Sequence, residues 1–323
     1  MNRSAILLVG GMGTRLQPLT HKIPKPMLQV AGVPFTEHQI VKAREAGITE
    51  IVLATSFKAE LFEPYFGDGS KFGIKMRYAV ETQALGTGGA IRNAADKLTG
   101  SGPVAIFNGD VLSGHDLAGQ FEAHKANSAD VTLYLTEVAD ARAFGAVELT
   151  KDGRVTAFNE KMERPKTKII NAGCYIFNRA IIEEIPHGQV VSVERETFPK
   201  LLARHARVFG FIDSSYWLDI GTPQALLKAS QDLISGTVYS QATPKCSGEF
   251  LALDGAKISA TAQVGEMSVI GRRAMIGDGA EVQGSIIGDG AQVGSRAKLK
   301  NCFVAEGFQV PEAVIAEGNF FGF

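Results

Sequence analysis

Cysteine is scarce in this sequence of 323 residues, and neither sign of charge is in excess. The three cysteines, Cys174, Cys246 and Cys302, lie far apart and do not have the close spacing of a zinc site. Their odd number also argues against a disulfide framework, so we expect free thiols in a reducing compartment. The 33 basic and 34 acidic residues give a net charge of −1. This balance excludes the broad positive field that attracts nucleic acid or an anionic membrane.

Long apolar runs are missing as well. The first run, Ala5–Val9, is followed directly by glycines and is too short for the core of a signal peptide. No later run approaches the roughly 20 residues that span a bilayer. We therefore expect a cytoplasmic protein without nucleic acid or membrane partners. Its length is more than one hydrophobic core usually accommodates, so we expect two domains.

Over the first two-thirds of the chain, short apolar runs alternate with helical patterns. The predicted strands are Ser4–Val9, Ile51–Thr55, Ile74–Val80, Val104–Asn108 and Val131–Val138, and the predicted helices are Glu37–Ala46, Gly88–Leu98 and Asp116–Ala126. This alternation predicts an α/β domain with a doubly wound, mainly parallel, Rossmann-like sheet. A β-rich insertion is then predicted from three consecutive strands, Phe144–Leu149, Val155–Phe158 and Ile170–Phe177. The domain closes with a predicted strand, Val208–Ile212, and a predicted helix, Pro223–Ile234.

The last part of the chain has a different rhythm, with apolar residues separated by five or six positions. They are Ile258, Val264, Ile270, Ile276, Val282, Ile287, Val293, Leu299, Val304, Val310 and Ile315, often followed by glycine. The period is typical of hexapeptide repeats, which predict a left-handed parallel β-helix whose apolar side chains point inward. An ordinary sandwich of short strands does not need such a period. We therefore predict a catalytic domain over residues 1–244 and a linker with the β-helix over 245–323.

A glycine-rich run, GGMGTRLQPLTHKIPKP over Gly10–Pro26, follows the first predicted strand. Its glycines allow a sharp turn and let backbone N–H groups approach phosphate oxygens. Arg15 can bind phosphate through two parallel hydrogen bonds, and Lys25 adds a point charge. The run is neither a Walker A loop nor a dinucleotide-binding fingerprint. A tight turn with solvated charges is the alternative, but the added arginine, Pro-Lys-Pro and strand-end position favour a phosphate site.

This run resembles the signature of sugar-nucleotide pyrophosphorylases, and the resemblance extends over the whole chain, including the β-helix. It implies Mg²⁺-dependent transfer of a nucleotidyl group from a nucleoside triphosphate to a sugar 1-phosphate, with release of pyrophosphate. Arg15 would stabilise the departing pyrophosphate, assisted by Lys25. The nucleotide-binding residues implied for this run and the strand before it are Leu8, Gly10, Gly11, Gly13, Thr14 and Arg15.

Two aspartates are candidate metal ligands. Asp110 follows the predicted strand Val104–Asn108, and Asp219 has a similar position in Trp217–Gly221. Ligands of open α/β sheets bind at the carboxyl ends of strands, and Mg²⁺ typically takes one or two carboxylates. Each aspartate by itself is more typical of a turn or cap. As a pair they match the two metal-binding aspartates of the family, and Asp110 is also assigned to the sugar phosphate.

The resemblance also implies a sugar-phosphate site. Lys161 would hold the sugar phosphate as a catalytic residue, and Glu160 would bind a sugar hydroxyl. Met162 stands where the family usually has proline, and a surface ion pair is the alternative for Glu160 and Lys161. The other implied sugar residues, from segments where glycine lets the backbone approach a polyol, are Gly145, Asn171 and Gly173.

A second glycine-containing segment resembles the loop that wraps the nucleobase in the family. Glu81 could accept hydrogen bonds from guanine, and the implied loop residues are Gly86, Thr87 and Gly88. Ala84 replaces a proline that is common there. A helix N-terminus with a flexible glycine lead-in is the alternative, in particular for Glu81.

Two further runs, Phe35–Gln39 and Val191–Pro199, resemble segments of guanylyltransferases that act on mannose 1-phosphate. We therefore expect GTP and mannose 1-phosphate as substrates and GDP-mannose as product. The open alternatives are thymidylyl, uridylyl or cytidylyl transfer to glucose 1-phosphate, and guanylyl transfer to heptose 1-phosphate. A non-catalytic, sugar-nucleotide-sensing subunit is a third, but it predicts a damaged phosphate loop or a missing aspartate.

The β-helix could be a subunit interface, a cap on the catalytic domain or an acyltransferase. No histidine follows His205, which argues against histidine-based acyl transfer. We therefore expect an interface or a cap, and a homo-oligomer.

Overall fold

A computed structural model describes residues 3–246 and 248–323. Met1, Asn2 and Ser247, which fall within the two predicted domain ranges, lie outside the described residues. The chain divides into two compact units. The first unit contains the residues up to Gly11 and Gln39–Trp217, and the second contains Met12–His38 and Leu218–Phe323. No helix in the described part of the chain is long and apolar enough to cross a membrane.

The helices of the described residues are short or of medium length: α1 (Phe35–Glu45), α2 (Glu63–Phe66), α3 (Gly86–Ala95), α4 (Leu117–Ala126), α5 (Arg179–Glu183), α6 (Phe198–Ala203) and α7 (Pro223–Ile234). Up to residue 219 the strands are β1 (Arg3–Leu8), β2 (Gln29–Val30), β3 (Val33–Pro34), β4 (Ile48–Thr55), β5 (Lys75–Val80), β6 (Val104–Asn108), β7 (Val111–Ser113), β8 (Val131–Glu137), β9 (Gly145–Leu149), β10 (Val155–Glu160), β11 (Ile169–Phe177), β12 (Val208–Ile212) and β13 (Trp217–Asp219). A π-helical turn, Val193–Thr197, precedes α6.

The first unit is built on one mixed sheet. Its strands follow the order β10-β9-β11-β6-β1-β4-β5, and β8 and β12 extend it beside β11. The pairs β1–β4, β1–β6 and β4–β5 are parallel, as the alternating pattern predicts. Strand β11 runs antiparallel to β6, β8 and β9, so the predicted β-rich part joins the main sheet instead of forming a separate one. The α/β fold class is therefore confirmed.

The central strand β1 shows why this sequence forms a buried parallel sheet. Ala5, Ile6 and Leu7 have no exposed surface, because helices cover parallel sheets on both faces and such strands are continuously apolar. Ile6 belongs to a large apolar cluster that also contains Ile106, Leu133, Tyr175 and Phe198. Each fully buried side chain of this size contributes roughly 1.5–3 kcal/mol through removal of apolar surface from water.

In the second unit, three parallel sheets form the left-handed β-helix. Its strands are β14 (Phe250–Ala252), β15 (Lys257–Ile258), β16 (Gln263–Gly265), β17 (Ser268–Ile270), β18 (Met275–Ile276), β19 (Glu281–Gln283), β20 (Ile286–Ile287), β21 (Gln292–Val293), β22 (Lys298–Lys300), β23 (Phe303–Val304), β24 (Gln309–Val310), β25 (Ile315–Glu317) and β26 (Phe320–Phe321). Equivalent positions stack coil on coil, as in Ile276 opposite Val293 and Val293 opposite Val310. The predicted hexapeptide architecture is confirmed.

One position of the predicted repeat is wrong. Ile315 is 79% exposed and lies opposite Lys298, whose side chain also faces outward. Ala316 occupies the inward position opposite the buried Leu299. The interval after Val310 is therefore six residues, and the inward residue is too small to be recognised from an apolar pattern.

The second unit also explains why residues 12–38 belong with the C-terminal part of the chain. In the β2–β3 hairpin, the N–H of Ala31 donates to Ser230 Oγ on α7 at 3.1 Å. Gly32 lies against Leu253, whose Cδ2 would be 2.8 Å from a Cβ at this glycine. His38 Nε2 lies 2.9 Å from the carbonyl oxygen of Val30. Burial lowers the pKa of His38 to about 4, so its ring is a neutral structural brace.

Candidate active site

In the first unit, the carboxyl ends of β1 and β6 meet at one edge of the sheet, because these parallel neighbours pair Leu8 with Asn108. Gly109 donates its N–H to the carbonyl oxygen of Leu8 at 3.0 Å. A Cβ at Gly109 would lie 2.3 Å from that oxygen, so no larger residue fits without displacement. Gly10 is packed against Ser56, whose hydroxyl donates to the Gly10 carbonyl at 2.6 Å. Backbone contacts thus fix where the glycine-rich run and Asp110 leave the sheet.

Two side chains of α1 brace the turn that carries Asp110. Gln39 Nε2 donates to the carbonyl oxygens of Asn108 at 2.8 Å and Val111 at 3.3 Å, which flank the aspartate. Lys42 Nζ donates to the carbonyl oxygen of Ser113 at 2.6 Å. Both residues hold the backbone of β7 and the preceding turn to the helix. Neither residue had a predicted role, although Gln39 ends the run Phe35–Gln39.

In the second unit, the basic residues of the glycine-rich run lie beside glycines that make room for them. Gly13 has a left-handed backbone (φ 63°), and a Cβ there would lie 2.8 Å from Lys25 Cβ. A Cβ at Gly221 would lie 2.9 Å from Arg15 Nη1, so the exposed guanidinium rests on the backbone at this glycine. Asp219, the half-buried last residue of β13, is two positions before Gly221. The second unit therefore places Arg15 next to the segment that carries one predicted metal ligand.

Apart from Asp110, the predicted sugar residues lie in the first unit on β9, β10 and β11, with Lys161 directly after β10. Glu160 Oε2 would be 2.9 Å from a Cβ at Gly145, so this glycine allows the carboxylate to approach β9. Lys161 has a left-handed backbone (φ 52°), and its side chain is 61% exposed, with Nζ 3.7 Å from Glu160 Oε1. An ion pair this exposed contributes little, so the ammonium group is accessible to a phosphate. Burial, and next the negative charge of Glu194, raise the pKa of Glu160.

Next to Lys161 lies an open pocket of about 670 Å³, lined by Asp140, Arg142, Ala143, Lys161, Met162, Glu163 and Arg164. Arg142 forms two parallel hydrogen bonds with Asp140, from Nε to Oδ1 at 2.9 Å and from Nη2 to Oδ2 at 2.6 Å. The lining thus contains three basic and two acidic side chains, and Arg142 is already paired with Asp140.

Gly173 joins the sugar segment to the turn that carries Asp110. Its backbone is left-handed (φ 79°), and a Cβ there would lie 3.0 Å from Val111 Cγ2 and 3.2 Å from Asn108 Nδ2. Its N–H donates to Asn171 Oδ1 at 3.3 Å. A β-branched or bulky residue could not take this conformation or fit this space. The first unit therefore brings Gly173, one of the predicted sugar residues, next to the turn that carries Asp110.

The predicted nucleobase loop is held by the run Val191–Pro199. Gly88 donates its N–H to the carbonyl oxygen of Val191 at 2.8 Å, and Val191 donates its N–H to Leu85 at 2.9 Å. A Cβ at Gly86 (φ 69°) would lie 2.7 Å from the same Val191 oxygen. The amide of Gly88 is thus engaged within the protein. Burial raises the pKa of Glu81, whose Oε2 accepts from the N–H of Leu85 at 3.3 Å.

The two predicted metal ligands form a sparse set. Among residues 3–246 and 248–323, no group of three or more His, Cys, Asp or Glu side chains is arranged for a metal ion. A dedicated protein cage for zinc or calcium is therefore not present in that part of the chain. Asp110 and Asp219 supply hard carboxylate oxygens. Mg²⁺ is usually bound through one or two carboxylates together with substrate phosphates and water, so each aspartate by itself has the ligand chemistry that this ion takes.

Known protein families match this chain in two separate ranges. The family model for nucleotidyl transferases matches residues 4–236, and that for GlmU-like C-terminal hexapeptides matches residues 251–317. Mannose-1-phosphate guanylyltransferase of Mycobacterium tuberculosis is 49% identical over 282 residues, which cover 87% of this chain and 78% of the relative. D-glycero-alpha-D-manno-heptose 1-phosphate guanylyltransferase of Aneurinibacillus thermoaerophilus is 38% identical, covering 71% and 97%. The crystal structure of HddC from Yersinia pseudotuberculosis complexed with GMP-PN has a TM-score of 0.61 and 31% identity, covering 72% and 99%.

Proposed function

The chain belongs to the nucleotidyl transferase family, and from this premise we propose that it converts GTP and mannose 1-phosphate into GDP-mannose and pyrophosphate. Members of the family generally use a divalent metal, and we propose Mg²⁺ for this chain. The choice of substrates is supported by the 49% identity with the mycobacterial relative. Residues 1–244 would carry the reaction, and residues 245–323 would serve as an interface or cap in a homo-oligomer.

The reaction requires two anions to meet. A phosphate oxygen of mannose 1-phosphate attacks the α-phosphorus of GTP in line. The new P–O bond forms as the bond from the α-phosphorus to the oxygen that bridges to the β-phosphorus breaks, and pyrophosphate leaves. The attacking phosphate is already ionised at neutral pH, so no general base is needed. The metal, when bound, supplies positive charge to the phosphate oxygens.

The protein contributes orientation and charge. Arg15 and Lys25 neutralise the departing pyrophosphate, and Lys161 holds the attacking phosphate. Orientation of bound reactants contributes roughly 7–11 kcal/mol to lowering a barrier of this kind. The glycines beside these groups let the protein backbone come close to the substrates, and Glu160 binds a sugar hydroxyl.

The observation that carries the proposal is the position of Arg15. Its guanidinium rests on Gly221, two residues after Asp219, in the same unit as Lys25. A cation for the leaving group and a carboxylate for the metal are what nucleotidyl transfer to a phosphate needs. A subunit that only senses sugar nucleotides has no need to retain this combination.

The test is pyrophosphate release from a panel of nucleoside triphosphates and sugar 1-phosphates, with and without Mg²⁺. We expect turnover with GTP and mannose 1-phosphate that is lost with EDTA and restored by Mg²⁺. The panel includes D-glycero-D-manno-heptose 1-phosphate, because a relative named for that substrate matches this chain over 97% of its own length. If the protein prefers the heptose 1-phosphate, that compound takes the place of mannose 1-phosphate as the proposed substrate. Folded protein without activity on any pair would refute catalysis.

A further inference from the structure

A single carboxylate in the first unit connects the nucleobase loop to the sugar segment. Glu194 lies in the π-helical turn Val193–Thr197. Its Oε2 accepts from the hydroxyl of Thr87 at 2.7 Å and from that of Ser192 at 3.0 Å, and its Oε1 accepts from the hydroxyl of Tyr175 at 3.4 Å. The run Val191–Pro199 was recognised by resemblance alone, and these contacts give its residue Glu194 a structural role.

On the nucleotide side, the contact is closely specified. Thr87 is in the first turn of α3, and its hydroxyl donates to Glu194 while accepting from the N–H of Val193 at 2.9 Å. This hydroxyl thus both donates to and accepts from the same segment. Gly86 and Gly88 pack on Val191 in the same segment. Displacement of the loop by a bound nucleotide would therefore be transmitted to Glu194.

On the sugar side, the contact runs through a buried tyrosine. The hydroxyl of Tyr175 accepts from Asn171 Nδ2 at 2.9 Å and donates to Glu194. Asn171 Oδ1 in turn accepts from the N–H of Gly173. Burial, and next the charge of Glu194, raise the pKa of Tyr175 far above its usual range, so its hydroxyl remains a donor. The continuous chain of contacts is Thr87, Glu194, Tyr175, Asn171.

We infer that Glu194 is a positioning residue that couples the two substrate subsites, so that binding of the nucleotide changes the affinity for the sugar 1-phosphate and the reverse. Such coupling is reciprocal, because both ligands bias the arrangement of the same hydrogen-bonded groups. A brace that merely stabilises the fold would lower stability when removed, but it would leave the two binding events independent. This inference rests on the proposed function, since that function assigns the two subsites.

The test measures binding of each ligand to the full chain in the presence and absence of the other. Calorimetric titrations with Mg²⁺ use mannose 1-phosphate and a GTP analogue with a methylene group between the α- and β-phosphorus, which cannot release pyrophosphate. We expect each ligand to change the dissociation constant of the other by about 5-fold or more, in the range typical of coupled sites. In Thr87→Val, Tyr175→Phe and Glu194→Gln this factor should fall toward 1.

The two single variants Thr87→Val and Tyr175→Phe separate coupling from local damage. Each removes one hydroxyl with little change of shape, and their combination should reduce the factor no further than either alone, because both interrupt the same chain. Tyr134→Phe is the matched control, since Tyr134 is another buried tyrosine of the same sheet, stacked on His115. It should keep the wild-type factor. Thermal unfolding of every variant identifies those that fail to fold.

The outcomes distinguish this inference from the proposed function. Wild-type protein that binds both ligands with a factor of 1, or folded Thr87→Val and Tyr175→Phe variants that keep the wild-type factor, would overturn the coupling and leave the function standing. If the substrate panel identifies another pair, the titrations use that pair and test the same contacts. Wild-type protein that binds no nucleotide and no sugar phosphate would overturn both.

Discussion

Lys42 provides a direct test of how tightly α1 is joined to the turn that carries Asp110. Its Nζ donates to the carbonyl oxygen of Ser113 at 2.6 Å and lies 3.0 Å from His115 Nδ1. Burial lowers the pKa of Lys42 from its usual 10.5 to about 8. Burial and the charge of Lys42 lower the pKa of His115 far below its usual range, so the ring is neutral and Nδ1 accepts.

The size and sign of the effect follow from this shift. The pKa falls by about 2.5 units, and each unit corresponds to about 1.4 kcal/mol, so burying the charged lysine costs about 3 kcal/mol. This cost is fully present below pH 8, where Lys42 is protonated in both states. Between pH 8 and about 10.5 the unfolded chain retains the proton that the folded protein releases, so the free energy of unfolding rises with pH. Replacement by methionine removes this dependence.

The assay is urea-induced unfolding of the wild type and Lys42→Met at intervals from pH 7 to pH 10. We expect the stability of the wild type relative to the variant to increase by about 2–3 kcal/mol over this range. Cys174 has the opposite effect on the pH dependence of stability, because burial raises its pKa to about 12. It is present in both proteins, so its effect largely cancels in the comparison. Lys228→Met is the control, since this lysine is 60% exposed and its side chain keeps most of its contact with water.

A constant difference between the wild type and Lys42→Met from pH 7 to pH 10 would refute the reasoning. It would mean that the ammonium group remains hydrated in the folded protein. The bonds to Ser113 and His115 would then be too weak to hold it at the turn.

Three further predictions concern the glycine-rich run, the sheet edge and the β-helix. Arg15→Ala should lower kcat by about 10²–10³-fold, as loss of a transition-state donor does. The melting temperature of the variant should stay unchanged, because the Arg15 side chain is exposed. A kcat near that of the wild type would reject the role of Arg15 on the leaving group. Gly109→Ala should destabilise the protein by about 1–3 kcal/mol and reduce Mg²⁺-dependent turnover, because the new Cβ would lie 2.3 Å from the Leu8 carbonyl oxygen. A variant with the stability and the turnover of the wild type would show that this edge of the sheet can shift freely. Ile287→Ala should lower the free energy of unfolding in urea by about 2–5 kcal/mol, because Ile287 is buried inside the β-helix. A smaller loss than in the exposed control Ile315→Ala would contradict the stacking of the coils.

Much of the architecture was predictable because it depends on local patterns. The continuous apolar run of β1 and the alternation of strands with helices predicted the parallel part of the sheet, which the pairing of β1 with β4 and β6 confirms. The repeat from Ile258 to Val310 predicted the β-helix. The pattern was wrong at Ile315, because a small inward residue, Ala316, carries no apolar signal of its own.

The candidate site was predictable only in part. The glycine-rich run and the two aspartates were recognised from residue type, spacing and resemblance, and their roles stay predictions. Gln39 and Glu194 lie in runs that were recognised by resemblance, but neither residue had a predicted role, because a glutamine or glutamate within a run is compatible with a solvated surface. Their contacts join residues far apart in the chain, as in Glu194 with Thr87, 107 positions away.

The sequence by itself determined the class of fold, the repeat and the types of charged group available to a phosphate, since periodicity and residue chemistry are local properties. The tertiary structure decided which of those groups share a unit. It put Arg15 against Gly221 and set Glu194 between Thr87 and Tyr175. The physical reason is that these contacts follow from packing of distant segments, where one missing Cβ or one hydroxyl determines the fit.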